Sequence, residues 1–274
     1  MEVLDGLYKF YKQFKGRKGV FGYSALLRPL YYFDLQKTER PLVIVQCSIH
    51  AREYITTAFC LKEIADFEKK GKFGRAVFIP CLNPDGVDIA ERIDPLYKAN
   101  ANGVDLNVNF PARWGTGIKN VRKSGSENYV GSHPFSEPET IAIKNLTLRL
   151  RPDATISYHT KGEEIYYSFY QECEREKRDL HLAKLLSEHT GYKIGSALGS
   201  CGGYKDWCIE ELKIPAFTIE AGKEKTAHPL KSKGALRDIV KKNKGITRRL
   251  IGGLEDYERK IYENRDKRSE KGKG

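Results

Sequence analysis

Residues 42–54 read LVIVQCSIHAREY. The uncharged, largely β-branched and aliphatic run from Leu42 to Ile49 has the pattern of a strand buried on both faces, as strands of parallel sheets are. It ends in an imidazole and a carboxylate, His50 and Glu53, just as a helical pattern begins. Two side chains that are hard to bury, at the carboxyl end of an apolar strand, stand where α/β proteins place their chemistry. Outward from there, Tyr54 to Lys70 carries Ile55, Ala58, Phe59, Ala65 and Phe67 broadly on one helical side, with Gly71 as its C-terminal cap. Arg75 to Cys81, Ala154 to Tyr158 and Ala216 to Glu220 read as further buried strands. Strand, helix and strand in succession predict an α/β fold of three layers, α/β/α, around a central mixed, twisted sheet.

The remaining periodicity adds helices. Ser136 with Glu139 three residues on and Pro138 between them reads as a capping box opening a helix to about Leu150. A second helix is predicted over about Glu174 to His189. Leu236, Ile239, Ile246, Leu250, Leu254, Tyr257 and Ile261 recur every three or four residues, as in one long C-terminal amphipathic helix. Asn83 to His133 has little periodicity and many Asn, Gly and Pro residues, and a loop of that length in a compact domain is usually functional. No repeat or composition break divides the chain, so residues 1–265 are read as a single domain and 266–274 as a basic, disordered tail.

Composition excludes several classes. No apolar stretch approaches the ~20 residues of a membrane span. The first residues, MEVLDGLYKFYKQFKGRKG, lack the apolar core of a secretory signal, so the chain as given is expected in the cytoplasm. Cys47 and Cys81 sit inside strand patterns, where free thiols behave as small hydrophobes. Cys201 and Cys208 fit no common zinc spacing, and a disulfide between them stays open. The net charge of +12 attracts anions, yet without a nucleic-acid motif it is weak support for nucleic-acid binding.

His50 and Glu53 need a third partner before they mean anything, since a chain with six histidines makes such a pair by chance. His159 closes the apolar segment ATISYH much as His50 closes its own strand, whereas His133 and His228 precede prolines in loops and His181 and His189 lie on a helix. Two neutral imidazoles and one carboxylate make a His2Glu zinc site of the hydrolytic kind, with a position open for water. Glu220, in PAFTIEAG, is an acid at the end of an apolar strand, costly to bury unless paired or raised in pKa, and both conditions suit a general base.

In these places the sequence resembles the zinc carboxypeptidases. HARE, NPDG at Asn83 to Gly86, GVDLN at Gly103 to Asn107, SYH, GGYKDW at Gly202 to Trp207 and FTIEAG at Phe217 to Gly222 match the family's motifs in order, over about Val43 to Gly222. The resemblance implies one zinc ion held by His50, Glu53 and His159, with Glu220 as general base. It also puts Arg52 beside the substrate's carbonyl or carboxylate, Asn107 in the substrate-binding segment, and Asp105 behind His50 as acceptor for its other ring nitrogen. Lys98, in YKAN, falls where the family has an arginine that polarises the scissile carbonyl, and supplies a point charge in place of a fork.

Where the chain departs from the family, the substrate narrows. Val108 stands where an arginine would grip a free C-terminal carboxylate, which argues against ordinary C-terminal trimming. The family's mobile active-site tyrosine falls at Leu198, leaving its role empty or taken by Tyr204. The residue that selects the leaving side chain falls at Lys205, and a lysine there calls for a carboxylate. The phrases KANANGVDLNVNFPARWG, YVGSHPFSEPET and SYHTKGEEIYY resemble the bacterial branch that cleaves γ-D-glutamyl to meso-diaminopimelate bonds, with Glu163 and Glu164 placed to receive the distal ammonium. The implied partner is a peptidoglycan-derived peptide containing meso-diaminopimelate, with no nucleic acid and no membrane. A same-fold enzyme on ordinary peptides and a catalytically silent cell-wall-peptide binder stay open as alternatives.

Overall fold

The computed structural model describes residues 2–271, with side chains described as far as Lys260. Among the described residues, eight strands form one mixed sheet. They are β1 Arg17–Tyr23, β2 Pro29–Gln36, β3 Leu42–Cys47, β4 Arg75–Ile79, β5 Ala154–His159, β6 Glu164–Tyr166, β7 Lys193–Ile194 and β8 Ala216–Glu220, and they lie in the order β1-β2-β4-β3-β5-β8-β6-β7. The inner strands β4, β3, β5 and β8 run parallel. β2 joins this group antiparallel on one side and β6 on the other.

Alternation along the inner strands builds two cores. Val43, Val45, Cys47, Ala76, Phe78, Ile156, Tyr158, Phe217 and Ile219 face one, which is shared with helices α1 Val3–Gln13, α2 Ile55–Lys70, α3 Pro84–Arg92, α5 Cys173–Thr190, α7 Lys233–Asn243 and α8 Ile246–Lys271. Leu42, Ile44, Val77 and Ile79 face the other, covered by α4 Pro138–Leu150, α6 Tyr204–Glu210 and the stretch through Leu106 and Phe110. This is the three-layer α/β arrangement read from the strand pattern. The six cysteines are free thiols, so no bond joins Cys201 to Cys208. No described helix is long and apolar enough to cross a membrane.

Several elements differ from the sequence reading. β3 stops at Cys47, short of Ile49, because Ser48 turns the chain with φ 50°. Gly71 ends α2 in an extended rather than a left-handed conformation. The aperiodic stretch hides α3, which is capped by the Asn83 side chain accepting from Gly86 N and carries Pro84 in its first turn. The Ser136 capping box does not form. α4 begins after Glu137, Ser136 Oγ donates to Glu137 Oε1, and Glu139 instead accepts from Ala25 N and Asn100 Nδ2. The single C-terminal helix is two, since Gly245 at φ 85° breaks it between α7 and α8. Of the tail read from 266 onward, the backbone to Lys271 belongs to α8, and 272–274 lie outside the described residues.

The break between α7 and α8 is held from below. Glu63, buried on α2, accepts from Gly245 N at 2.8 Å and Thr247 N at 3.2 Å, satisfying donors that the start of α8 leaves free. Glu63→Ala is expected to cost about 2–4 kcal/mol of stability, read as a lower midpoint of urea unfolding, from two buried N–H groups left without partners. An unchanged midpoint would show that water replaces the carboxylate.

Candidate metal centre and cleft

Strand register positions the site. β5 and β8 pair with His159 opposite Glu220, the last residue of each, so two functional side chains leave the sheet at the same edge. β3 reaches that edge beside β5, and after Ser48 a single 3₁₀ turn over Ala51–Glu53 carries His50 and Glu53 round to the same side. Hydroxyls on α2 fix the turn, with Thr56 Oγ1 accepting from Ser48 N at 3.0 Å and Thr57 Oγ1 lying 2.7 Å from Ser48 Oγ. Asn83 ties it to the neighbouring loop, its Nδ2 donating to both Ile49 O and Ala99 O. Gly86 is required there, because a Cβ at that position would stand 2.4 Å from Ala99 O. Ala51 N donates to Lys98 O at 3.0 Å, so the turn and the Lys98 loop move as one.

His50, Glu53 and His159 are buried with donor atoms converging. His50 Nδ1 is 3.0 Å from Glu53 Oε1, His159 Nδ1 is 3.0 Å from Glu53 Oε2, and the two Nδ1 atoms are 3.2 Å apart. Ligand atoms on a tetrahedral zinc ion stand about 3.3 Å from one another, given bonds near 2.0–2.1 Å. Among the described residues this is the one group of three such side chains that can hold a metal ion. On the far side of the ring, His50 Nε2 faces Asp105 Oδ1 at 3.2 Å, and Asp105 Oδ2 pairs with Lys98 Nζ at 2.6 Å.

The electrostatics of the protein side chains call for a positive charge at this point. Burial works against a charged His50 ring, yet Glu53 and Asp105 more than offset it and hold its pKa at about 9. Burial alone would raise Glu53, but His50 and His159 keep it far below the usual carboxylate range. Burial, with His50 beside it, lowers His159 against the pull of Glu53. Two imidazoles compete for one carboxylate, and the donor set fits a divalent cation better than it fits a lone proton. Burial pushes the Glu220 carboxyl up to about 8, with the charge of Glu53 adding to it and His50 opposing.

A cleft of about 390 Å³ opens over these groups. His50, His159, Glu220, Lys98, Asp105 and Asn107 line it, together with Val108 and Leu198. Other site residues read from the sequence are not brought there. Tyr204 points into the second core, fully buried, with its hydroxyl 2.8 Å from Thr147 Oγ1. Lys205 is spent internally, its Nζ donating to Asp206 Oδ1 at 2.6 Å and Ser168 O at 3.0 Å. Arg52 turns to Leu96 O and Glu127. Glu163 is paired with Lys242 and Glu164 accepts from the Tyr166 hydroxyl. The cleft wall also contains Ile118, Lys119, Asn120, Asn128 and Tyr166, which sequence reasoning missed. Tyr166 falls two residues after Glu164 in a strand of three residues, too short to show a period, and the others lie in the aperiodic stretch.

A model of the zinc carboxypeptidase family matches residues 7–244. The chain belongs to that family. It is 29% identical over 213 residues to gamma-D-glutamyl-L-diamino acid endopeptidase 1 of Lysinibacillus sphaericus, across 65% of this chain and 53% of the relative, so it spans about half of that protein's length. To murein peptide amidase A of Escherichia coli (strain K12) it is 28% identical over 212 residues, across 73% of this chain and 79% of the relative. Bovine thrombin-activatable fibrinolysis inhibitor, solved in complex with tick carboxypeptidase inhibitor, superimposes with a TM-score of 0.82 at 23% identity, covering 94% of this chain and 98% of that one, a likeness of fold. Membership of the family and the converging donors give one zinc ion as the cofactor.

Behind the cleft, Asn100 of the Lys98 loop donates to two buried carboxyls, Glu137 and Glu139. Burial pushes Glu139 from 4.5 up to about 7 against its hydrogen bonds from Ala25 and Asn100. The native state therefore binds this proton more tightly than the unfolded chain does. Its contribution to stability is complete below pH 4.5 and is lost as pH rises through about 7. Melting temperatures measured between pH 5 and 8 are expected to fall less steeply for Glu139→Gln than for the wild type; parallel curves would rule this out.

Proposed function

We propose that the chain is a zinc-dependent peptidase that hydrolyses the γ-D-glutamyl to meso-diaminopimelate amide bond of peptidoglycan peptides. His50, Glu53 and His159 hold the zinc, Glu220 is the general base and Lys98 the oxyanion partner. The observation that carries the chemistry is the pairing of His159 with Glu220 at the ends of adjacent strands, which sets a base beside the donor set. Two relatives, one named as an endopeptidase for γ-D-glutamyl-L-diamino acids and one as a murein peptide amidase, support the substrate class.

Zinc in such a site supplies Lewis acidity and makes water easier to deprotonate. Glu220, partly open to the cleft, accepts the proton of the attacking water and returns it to the leaving amine. The Glu220 carboxyl, pushed up to about 8 by burial and further by the charge of Glu53, would be lowered by a cation held by His50, Glu53 and His159, which favours the carboxylate form that a base needs. The Lys98 ammonium faces the charge that develops on the carbonyl oxygen. Its pairing with Asp105 and its 2.6 Å bond to Asn128 Oδ1 fix it in advance, so little reorganisation is needed during the reaction. Asp105 also orients the His50 ring, which couples the cationic arm to the donor set. Val108, in the place of a carboxylate clamp, brings no charge to the cleft.

Zinc-loaded protein incubated with L-Ala-γ-D-Glu-meso-diaminopimelate, with and without a following D-Ala, is expected to release diaminopimelate or its D-Ala adduct, read by mass spectrometry. Cleavage at another bond, or none, would remove the substrate assignment. Glu220→Gln is expected to keep one zinc per chain by metal analysis while kcat falls by roughly 10²–10⁴. Lys98→Met should lower kcat by about 10²–10³. Full activity in zinc-retaining Glu220→Gln would sink the mechanism.

A further inference from the structure

With Lys205 committed to Asp206, the carboxylate of an anionic leaving residue needs another receiver. Two lysines line the cleft, Lys98 and Lys119. Lys98 is held by Asp105 at 2.6 Å and is committed to the carbonyl oxygen. The carboxylates lining the cleft are Asp105 and Glu220, and among the described residues Lys119 pairs with neither, nor with any other acid. It is the one lining cation whose charge the protein leaves uncompensated.

Its position is nonetheless fixed. On one side Ile118 N donates to Gly199 O at 2.8 Å, and on the other Asn120 N donates to Gly117 O at 2.9 Å while its Nδ2 reaches Cys201 O at 3.2 Å. The strand of chain through Val108 is pinned to the same segment, with Phe110 N donating to Gly202 O at 2.9 Å. Lys119 and Val108 are therefore held against one short stretch, residues 199–202, on the same wall. The side chain is exposed and free at its end while its backbone is tied at both flanks.

We infer that Lys119 binds a carboxylate of the leaving residue, supplying from the loop the positive charge that position 108 lacks. This rests on the peptidase reading of the cleft. A lysine suits the task, since its point charge on a four-carbon stem reaches a carboxylate without the planar registration that an arginine fork demands. Diaminopimelate presents two such groups on the leaving side, the α-carboxylate beside the scissile amide and the carboxylate at its far end. Both are the same chemistry for a lysine.

The test uses the zinc-loaded Glu220→Gln chain, titrated calorimetrically with L-Ala-γ-D-Glu-meso-diaminopimelate in three forms: both carboxylates free, the α-carboxylate amidated, and the far carboxylate amidated. Adding Lys119→Met is expected to weaken the free form roughly 10- to 100-fold, as for loss of a charge-assisted bond, and to leave unchanged the form in which the recognised carboxylate is already an amide. That silent form identifies which carboxylate is bound, and Lys119→Arg should restore most of the affinity. Equal weakening of all three forms, no weakening, or no binding by the Lys119-bearing chain would overturn the inference. If the coupling is found but the active enzyme cuts elsewhere, the bond assignment fails and Lys119 stands.

Discussion

A carboxylate buried away from water must be paired or give up its charge, and Glu53 meets that constraint by standing between two imidazoles at 3.0 Å each. Much of the cleft follows from it. The positive charge that Glu53 draws onto His50 is balanced on the other ring face by Asp105, whose second oxygen carries Lys98. A row of paired groups, Lys98, Asp105, His50 and Glu53, thus runs across the floor of the cleft and ends at His159, which burial and the neighbouring His50 keep from taking up charge. Removing any inner member leaves a buried charge without its counterpart, which costs more than the net value of a pair.

Such a row forms only if the chain delivers its members to one place, and the sheet does this by register. Cys47 pairs with Tyr158 and His159 with Glu220, so the parallel strands end in step and the next residues emerge at one rim. Beyond the strand ends and Tyr166 of β6, much of the lining comes from segments between strands: Asn107 and Val108, the segment around Lys119, and residues 197–200. Reaction chemistry on rigid strand ends, with selectivity on loops held by backbone bonds, lets one change without disturbing the other.

What could be read from sequence divides along the same line. The inner strands and the helices α2 and α5 were legible because burial on two faces or one leaves a periodic trace, and His50, Glu53, His159 and Glu220 were found because each interrupts or ends such a trace. α3 was missed because its nine residues begin in NPDG, which reads as a turn even though Asn83 and Pro84 are also a helix start. The break before α8 was missed because hydrophobic spacing continues across Gly245, and what holds the break there is a buried acid 182 residues away in sequence.

Lys205 shows why a position carried over from a motif is not yet a site. Its place in GGYKDW put it at the bottom of a pocket, but its immediate neighbour Asp206 takes the ammonium at 2.6 Å, and both side chains are buried. Buried with its partner and absent from the cleft lining, that lysine is not available to a ligand, since an incoming carboxylate would have to displace Asp206 and leave that acid buried alone. Lys119 is the opposite case. It lies in a stretch with no period and carries no motif, yet its charge is open to the cleft. Recognition of an anion depends on which cation the fold has left unpaired, a property of three-dimensional neighbours that neither spacing nor composition records.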